Sequence, residues 1–184
     1  NAGSDAGGTL TEAVEKDGQF TINGNKCYIT NASYAKFLAL TAITDRSEGK
    51  KEISAIIVPT DVPGFKVIDN YEKMGLNASN TTELILEDVV VPAENLLGKK
   101  GNGFRQFLMT LDGGRIGIGA MAVGIAQAAF EKALAYSKER KQLGKTLSEF
   151  QAIQFKLADM AMKIDLARTM VYKAAWLKDQ GKPF

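Results

Sequence analysis

The chain is 184 residues long, 45% hydrophobic and 24% charged, which suits one large or two small globular domains and excludes a disordered class. Its 23 basic and 21 acidic residues leave a net charge of +2 spread along the sequence, without the basic footprint of a nucleic-acid binder. With no histidine and a single cysteine, Cys27, it lacks an imidazole base, a Ser-His triad, the usual zinc sites and an intrachain disulfide. Carboxylates, hydroxyls or a cofactor are left to carry any chemistry.

The chain opens on the turn-like string N-A-G-S-D-A-G-G-T and closes on Q-G-K-P-F, just past a helix-stop signal, so it reads as a piece of a longer protein. From Thr9 to about Val91 short segments rich in β-branched and aromatic residues alternate with turn signals. The segments are Q-F-T-I-N, K-C-Y-I-T, F-L-A-L-T-A-I-T, I-S-A-I-I-V, F-K-V-I, T-E-L-I-L-E and V-V-V. The turn signals are N-G at 23–24, D-R-S-E-G-K-K at 45–51 and P-G at 63–64. These predict an antiparallel β domain over residues 1–97, two sheets packed as a sandwich or barrel-like unit.

At Pro92 the composition changes, and residues 98–184 read as helical. Phe104, Phe107, Leu108 and Leu111 recur at helical spacing and lead into an Ala-rich stretch through Tyr136. A second helix is expected from near Leu147, capped by Ser148, to about Gln180. Two antiparallel helices of more than ~30 residues, each on the order of 50 Å at ~1.5 Å per residue, cannot bury their broad apolar faces against each other alone. They predict part of a four-helix bundle, giving an α+β chain overall. No apolar stretch is read as approaching the ~20 residues of a membrane-spanning helix, and Lys and Asp are mixed around both helices, so no membrane contact is expected.

Four strings carry candidate chemistry. In L-D-G-G-R-I-G-I-G, at 111–119, a helical pattern holds Gly113, Gly114, Gly117 and Gly119, with Gly124 beyond, and each glycine costs roughly 1 kcal/mol in a helix interior. Close approach of another backbone or of a bulky ligand explains them, and Asp112 and Arg115 are the charged groups left to touch it. Ser4, between glycines, can help backbone N–H groups hold an anionic oxygen, although the same string also fits a plain turn. Tyr28 and Thr30, two apart on one strand, share a sheet face and can border a flat heteroaromatic ring; an ordinary half-buried strand fits as well. Arg140 and Gln151, flanking the connector K-Q-L-G-K-T-L-S-E-F, can bind a diphosphate and a nucleoside edge, while Lys138 and Lys141 read as solvated.

Taken in order, these strings resemble the acyl-CoA dehydrogenase family of flavoproteins, and the resemblance covers the whole chain. N-A-G-S-D at 1–5 stands for the family's E-P-x-A-G-S-D turn, and Y-I-T at 28–30 for its W-I-T strand. L-E-D-V-V-V-P-A-E-N-L-L-G at 86–98 stands for F-x-D-V-x-V-P-x-x-N-x-L-G, and R-K-Q-L-G at 140–144 for R-x-x-F-G. M-T-L-D-G-G-R-I-G and F-K-L-A-D-M-A are most similar to the short-chain, or butyryl-CoA, branch.

The resemblance implies FAD as cofactor, held by Ser4, Tyr28, Ile29, Thr30, Arg140 and Gln151, with Arg140 and Gln151 reaching the flavin of a neighbouring subunit. It implies contact of Ser4, Asp112, Gly113, Gly114 and Arg115 with an acyl-CoA substrate. Tyr28 replaces the usual Trp and keeps an aromatic wall, whereas Leu143 replaces a Phe and loses any stacking. In the family a glutamate removes the α proton while the β hydride goes to flavin N5. That glutamate lies in a Y-E-G string further downstream, or in some relatives at the position of Gly114, so no catalytic residue is assigned here and residues 1–184 alone are expected to be inactive. Electron-transfer flavoprotein is the implied electron acceptor, a homotetramer built as a dimer of dimers the implied assembly, and the cytoplasm of a bacterium or the mitochondrial matrix the implied location. Two other readings stand beside this one: a related flavoenzyme such as an acyl-CoA oxidase or nitroalkane oxidase, and a non-catalytic member serving as a binding or assembly module.

Overall fold

The computed structural model describes residues 5–46, 49, 51–69 and 71–184, in two compact units, one ending at Leu108 and the other spanning Met109–Phe184. In the first unit six strands form: β1 (Glu12–Lys16), β2 (Gln19–Thr30), β3 (Phe37–Asp45), β4 (Glu52–Pro59), β5 (Phe65–Ile68) and β6 (Thr81–Pro92). They hydrogen-bond in the order β4-β3-β1-β2-β6-β5. Ile56 and Val58 of β4 share one core with Leu86, Val89 and Val91 of β6, although three strands lie between them. The sheet must therefore curl on itself. The chain leaving β6 completes the curl: Leu97 N–H donates to Ala55 O (2.8 Å), and the Asn95 side-chain amide donates to Ile57 O (2.8 Å).

This is the expected α+β architecture, a barrel-like β domain followed by two long helices. Three particulars differ from the sequence reading. The strands form one continuous sheet instead of two, and its β1–β3 pairing is parallel, with Glu12 opposite Ile43. β1 itself escapes the pattern because E-A-V-E-K buries only Ala13. The Asn23–Gly24 pair is not a turn. It lies inside β2, where the register against β6 shifts between Ile22 and Gly24, and Asn23 exchanges hydrogen bonds with Asp88 across that irregularity. The tight turn into β2 is Asp17–Gly18, whose φ angles of 52° and 76° match the both-positive requirement of a type I′ hairpin.

The helices are α1 (Gly103–Glu139) and α2 (Gln151–Asp179), joined by a two-residue-per-strand hairpin, β7 (Lys141–Gln142) and β8 (Lys145–Thr146). In the second unit they run antiparallel: a methyl on Gly113 would meet Lys178, one on Gly119 would meet Val171, and Arg168 donates to Gln127 (2.8 Å). α2, at 29 residues, falls just short of the expected length. Within this unit Val123, Ser137 and Ile164 are buried, while Ile118, Ile125, Phe155, Leu166 and Trp176 are exposed. α1 also corrects the reading of apolar stretches. It is long enough and apolar enough, with a mean hydropathy of 1.3 over its best window, to cross a membrane, because residues 116–130 contain no charge.

Pro63–Gly64 is a turn that the sequence placed correctly: Phe65 N–H returns to Val62 O, and Gly64 has φ of 81°. A methyl there would sit 1.9 Å from Glu87 O, whereas a methyl on Gly18, at φ of 76°, meets nothing within 4 Å. Both substitutions carry the strain of positive φ, about 1 kcal/mol, and Gly64 adds overpacking of about 1–3 kcal/mol. In urea denaturation Gly64→Ala is expected to destabilise clearly more than Gly18→Ala; equal losses would show that the β5–β6 approach is looser than described.

Candidate functional site

Tyr28, Ile29 and Thr30 end β2, where the pairing with β6 breaks between Lys26 and Ile29 and resumes with Ile29 opposite Thr82 and Thr30 opposite Thr81. Tyr28 has φ of 55°, unusual for an aromatic residue and a mark of local strain at a site. Tyr28 is 71% exposed, and Thr30 is exposed too. The two side chains of the sequence reading thus both reach the surface at the end of one strand. Ile29 O accepts from the buried Thr82 hydroxyl (3.2 Å), which anchors the strand between them. The Thr30 hydroxyl has no hydrogen-bond partner among the described residues.

Two residues at this end carried no sequence signal. Tyr71, in an aperiodic stretch, stacks on Tyr28 with centroids 4.9 Å apart and planes 22° apart. Desolvation raises its phenol pKa, while a hydrogen bond to the Tyr28 backbone acts in the opposite direction. Lys73 gathers the following loop, donating to Leu76 O (2.9 Å), to Ser79 O and to the Thr81 hydroxyl (3.1 Å), next to Thr30 in register. Lys26 is the third residue that the pattern hid. Its ammonium turns inward to Thr41 O (2.6 Å) and the buried Thr9 hydroxyl (3.3 Å), and burial pushes its pKa down to about 8. Ser4 lies outside the described residues.

Arg140 and Gln151 lie at the same end of the second unit. Arg140 follows α1, Gln151 opens α2, and Leu147 N–H donates to Arg140 O (2.9 Å) across the connector. Both side chains are exposed, and neither has a hydrogen-bond partner among the described residues. The cap differs from the expected Ser148. Thr146 leads a 3-10 turn, Leu147–Glu149, and the Glu149 carboxylate accepts from the Thr146 N–H (2.7 Å) and hydroxyl (2.9 Å). Leu143 sits at the tip of the β7–β8 hairpin with φ of 52°, beside Gly144 at 81°, and is 91% exposed. Its side chain therefore supports nothing within this chain.

Asp112 and Arg115 stand near the opposite end of the helix pair, ion-paired with each other at 2.5 Å. They line a cavity of about 300 Å³ with Ile116, Met170, Val171, Ala174 and Phe184. Of the helix glycines, Gly113 and Gly119 are explained by the close approach of α2, whereas a methyl on Gly114, Gly117 or Gly124 would meet nothing within 4 Å. From Asp112 to Arg140 runs about 40 Å of helix at ~1.5 Å per residue. The structure therefore places Arg140 and Gln151 at one end of the helix pair and pairs Asp112 with Arg115 near the other, which keeps the two groups apart.

Residues 1–89 match the family model for the acyl-CoA dehydrogenase middle domain, and residues 101–184 the model for the acyl-CoA dehydrogenase C-terminal domain. The chain is 64% identical over 185 residues to a probable acyl-CoA dehydrogenase, YngJ, of Bacillus subtilis (strain 168), covering 100% of this chain and 49% of that protein. It is 51% identical to butyryl-CoA dehydrogenase from Megasphaera elsdenii, whose solved structure it matches with a TM-score of 0.95 over 100% of this chain and 48% of that one. A chain solved in work on the electron transferring flavoprotein of Acidaminococcus fermentans matches with a TM-score of 0.94 and 51% identity, again over 100% and 48%. The chain thus spans about half the length of the relatives it matches.

The connector carries a pH-dependent prediction. Hydrogen bonds from Thr146 hold the Glu149 pKa below its ordinary 4.5, so the stabilisation they give is complete above about that value and is lost as pH falls through the lower, folded one. Glu149→Gln keeps the shape and removes the charge. The stability difference between wild type and variant, read from thermal unfolding, should be constant near neutral pH and shrink in acid; a difference that does not change with pH would rule the carboxylate out as the cap.

Proposed function

The chain belongs to the acyl-CoA dehydrogenase family, and on that premise we propose that the full-length protein is an FAD-dependent oxidoreductase converting a short-chain acyl-CoA to its trans-2-enoyl-CoA. Electron-transfer flavoprotein takes the electrons, in the cytoplasm if the source is bacterial and in the mitochondrial matrix if it is eukaryotic. The observation that carries the reading is the likeness to butyryl-CoA dehydrogenase along the entire chain. Within it, residues 1–97 are the middle β domain and residues 98–184 the first part of the helical bundle. Because residues 116–130 lack charge but belong to that bundle, α1 is read as one of its core helices and not as a membrane span.

The side chains available fit FAD. An isoalloxazine ring needs an aromatic wall and a donor at its edge, which the exposed Tyr28 ring and the unpartnered Thr30 hydroxyl offer, with Ile29 between them. A diphosphate needs a cation, and Arg140 offers an exposed guanidinium at the same end of the helix pair as Gln151. Ser4, outside the described residues, is proposed to add a hydroxyl. Bound there, FAD supplies the hydride acceptor. Asp112, Gly113, Gly114, Arg115 and Ser4 hold the acyl-CoA, and the exposed Arg115 guanidinium, paired with Asp112 through one nitrogen, keeps further N–H donors for a phosphate. Gly114 cannot accept a proton, so the base is assigned to no residue of 1–184.

The ~40 Å between the two helix clusters supports giving them to different copies of the active site. Arg140 and Gln151 then serve the flavin of a neighbouring subunit in a homo-oligomer, a dimer of dimers.

Full-length protein with butyryl-CoA and an artificial electron acceptor should turn over, and residues 1–184 alone should not. Turnover by residues 1–184, or none by the full-length protein with any short acyl-CoA, would overturn the assignment; rapid oxygen consumption would favour an oxidase instead. Arg140→Ala should weaken FAD retention by about tenfold or more, the scale of a lost charge-assisted hydrogen bond, and should loosen the oligomer with it. Sedimentation with and without added FAD reads both effects, and a variant that holds flavin and assembles like wild type would remove the shared site.

A further inference from the structure

Lys26 is a half-buried cation that the proposed chemistry does not use. It occupies β2, and its ammonium leaves that strand for the neighbouring segments, bonding Thr41 O of β3 at 2.6 Å and the Thr9 hydroxyl at 3.3 Å. Thr9 is itself buried and closes the 3-10 turn Ala6–Gly8, directly after the N-A-G-S-D string. One residue along the same seam the lacing continues: the Thr11 hydroxyl donates to Asn25 O (3.4 Å), and Gly24 lies so close that a methyl on it would be 2.7 Å from Thr11 Cα.

The position of Lys26 along β2 gives these bonds their consequence. Lys26, opposite Leu84, is the last residue of β2 in register with β6 before the ladder breaks; Cys27 and Tyr28 have no registered partner, and pairing resumes at Ile29. With the ladder interrupted, the direction in which Tyr28 leaves the sheet depends on what holds β2 immediately before the break. A half-buried ammonium is a costly way to do so, since its partial desolvation must be offset by well-placed acceptors. A hydrocarbon of similar length would fill the volume at lower cost but would bond neither Thr9 nor Thr41.

We infer that Lys26 is a positioning residue for the flavin: its ammonium ties the Thr9 turn to β2 immediately before the Cys27–Tyr28 break in the ladder, and so sets how the Tyr28–Thr30 end of the strand meets the ring. The inference rests on the FAD reading above. Lys26 touches neither cofactor nor substrate and acts through Thr9 and the strand.

Full-length Lys26→Met, titrated with FAD, should bind it about tenfold more weakly, the expected scale for losing hydrogen bonds to a charged group. At saturating FAD its flavin reduction potential should also differ from wild type, a change that a loss of stability alone would not produce in folded, cofactor-loaded protein. Folded Lys26→Met with wild-type affinity and potential would overturn the positioning role while leaving the flavin assignment intact. Wild-type protein that binds no FAD would instead overturn the flavin assignment itself. If Lys26→Met does not fold, Thr9→Val keeps the shape and removes one end of the clamp. It should shift affinity and potential in the same direction, and unchanged values there would overturn the inference equally.

Discussion

The return of the chain from β6 to β4 is the constraint on which the first unit depends. A six-stranded sheet of this order would otherwise leave β4 as an edge with unpaired carbonyls, and an apolar face without a partner. Curling brings Ile56 and Val58 onto Leu86, Val89 and Val91, each such side chain contributing about 1.5–3 kcal/mol on burial. Asn95 and Leu97 then occupy the carbonyls of Ile57 and Ala55. The same return sets the start of α1: Gly103 lies so close to the Ser54–Ala55 backbone that a methyl would be 2.2 Å from Ser54 C. Closure of the sheet and initiation of the long helix are therefore one event in this fold.

The second unit obeys a different balance. Helices draw most of their stability from burying an apolar face, and here the faces of α1 and α2 remain largely uncovered within the unit. The glycines divide along the same line, since α2 accounts for Gly113 and Gly119 and nothing in the unit accounts for Gly114, Gly117 or Gly124. An apolar, glycine-bearing helix of this kind satisfies the composition of a membrane span and of a bundle core alike. The likeness to relatives about twice as long supports the bundle reading proposed above.

Two strained backbone positions mark the regions read as functional. Tyr28 and Leu143 both adopt positive φ, at 55° and 52°, where a non-glycine side chain costs roughly 1 kcal/mol. At Tyr28 the strain turns an aromatic ring outward at a break in the ladder, against Tyr71. At Leu143 it places an apolar side chain at the tip of the connector between Arg140 and Gln151, without support from its own chain.

Much of this was legible in the sequence. The change of period at Pro92, the strand composition before it and the helical spacing after it fixed the α+β class and the two long helices, because burial on one face leaves a periodic signature. The ordered strings N-A-G-S-D, Y-I-T and R-K-Q-L-G identified the family. What escaped was nonlocal. N-G at 23–24 reads as a turn from its two residues, but Asp88 on another strand makes it an irregularity within β2. Lys26 carries no signal of its own until Thr9 and Thr41 arrive from segments 17 and 15 residues away, and Tyr71 has no pattern at all until it meets Tyr28. The sequence by itself determined the two long helices and the strands β2 to β6, since their periodicity is local and each residue carries it, whereas β1 and the β7–β8 hairpin left no such pattern. Only the tertiary structure decided the single curled sheet, the parallel β1–β3 contact and the partners of Lys26, because these depend on which distant polar groups the closing core leaves within hydrogen-bonding reach.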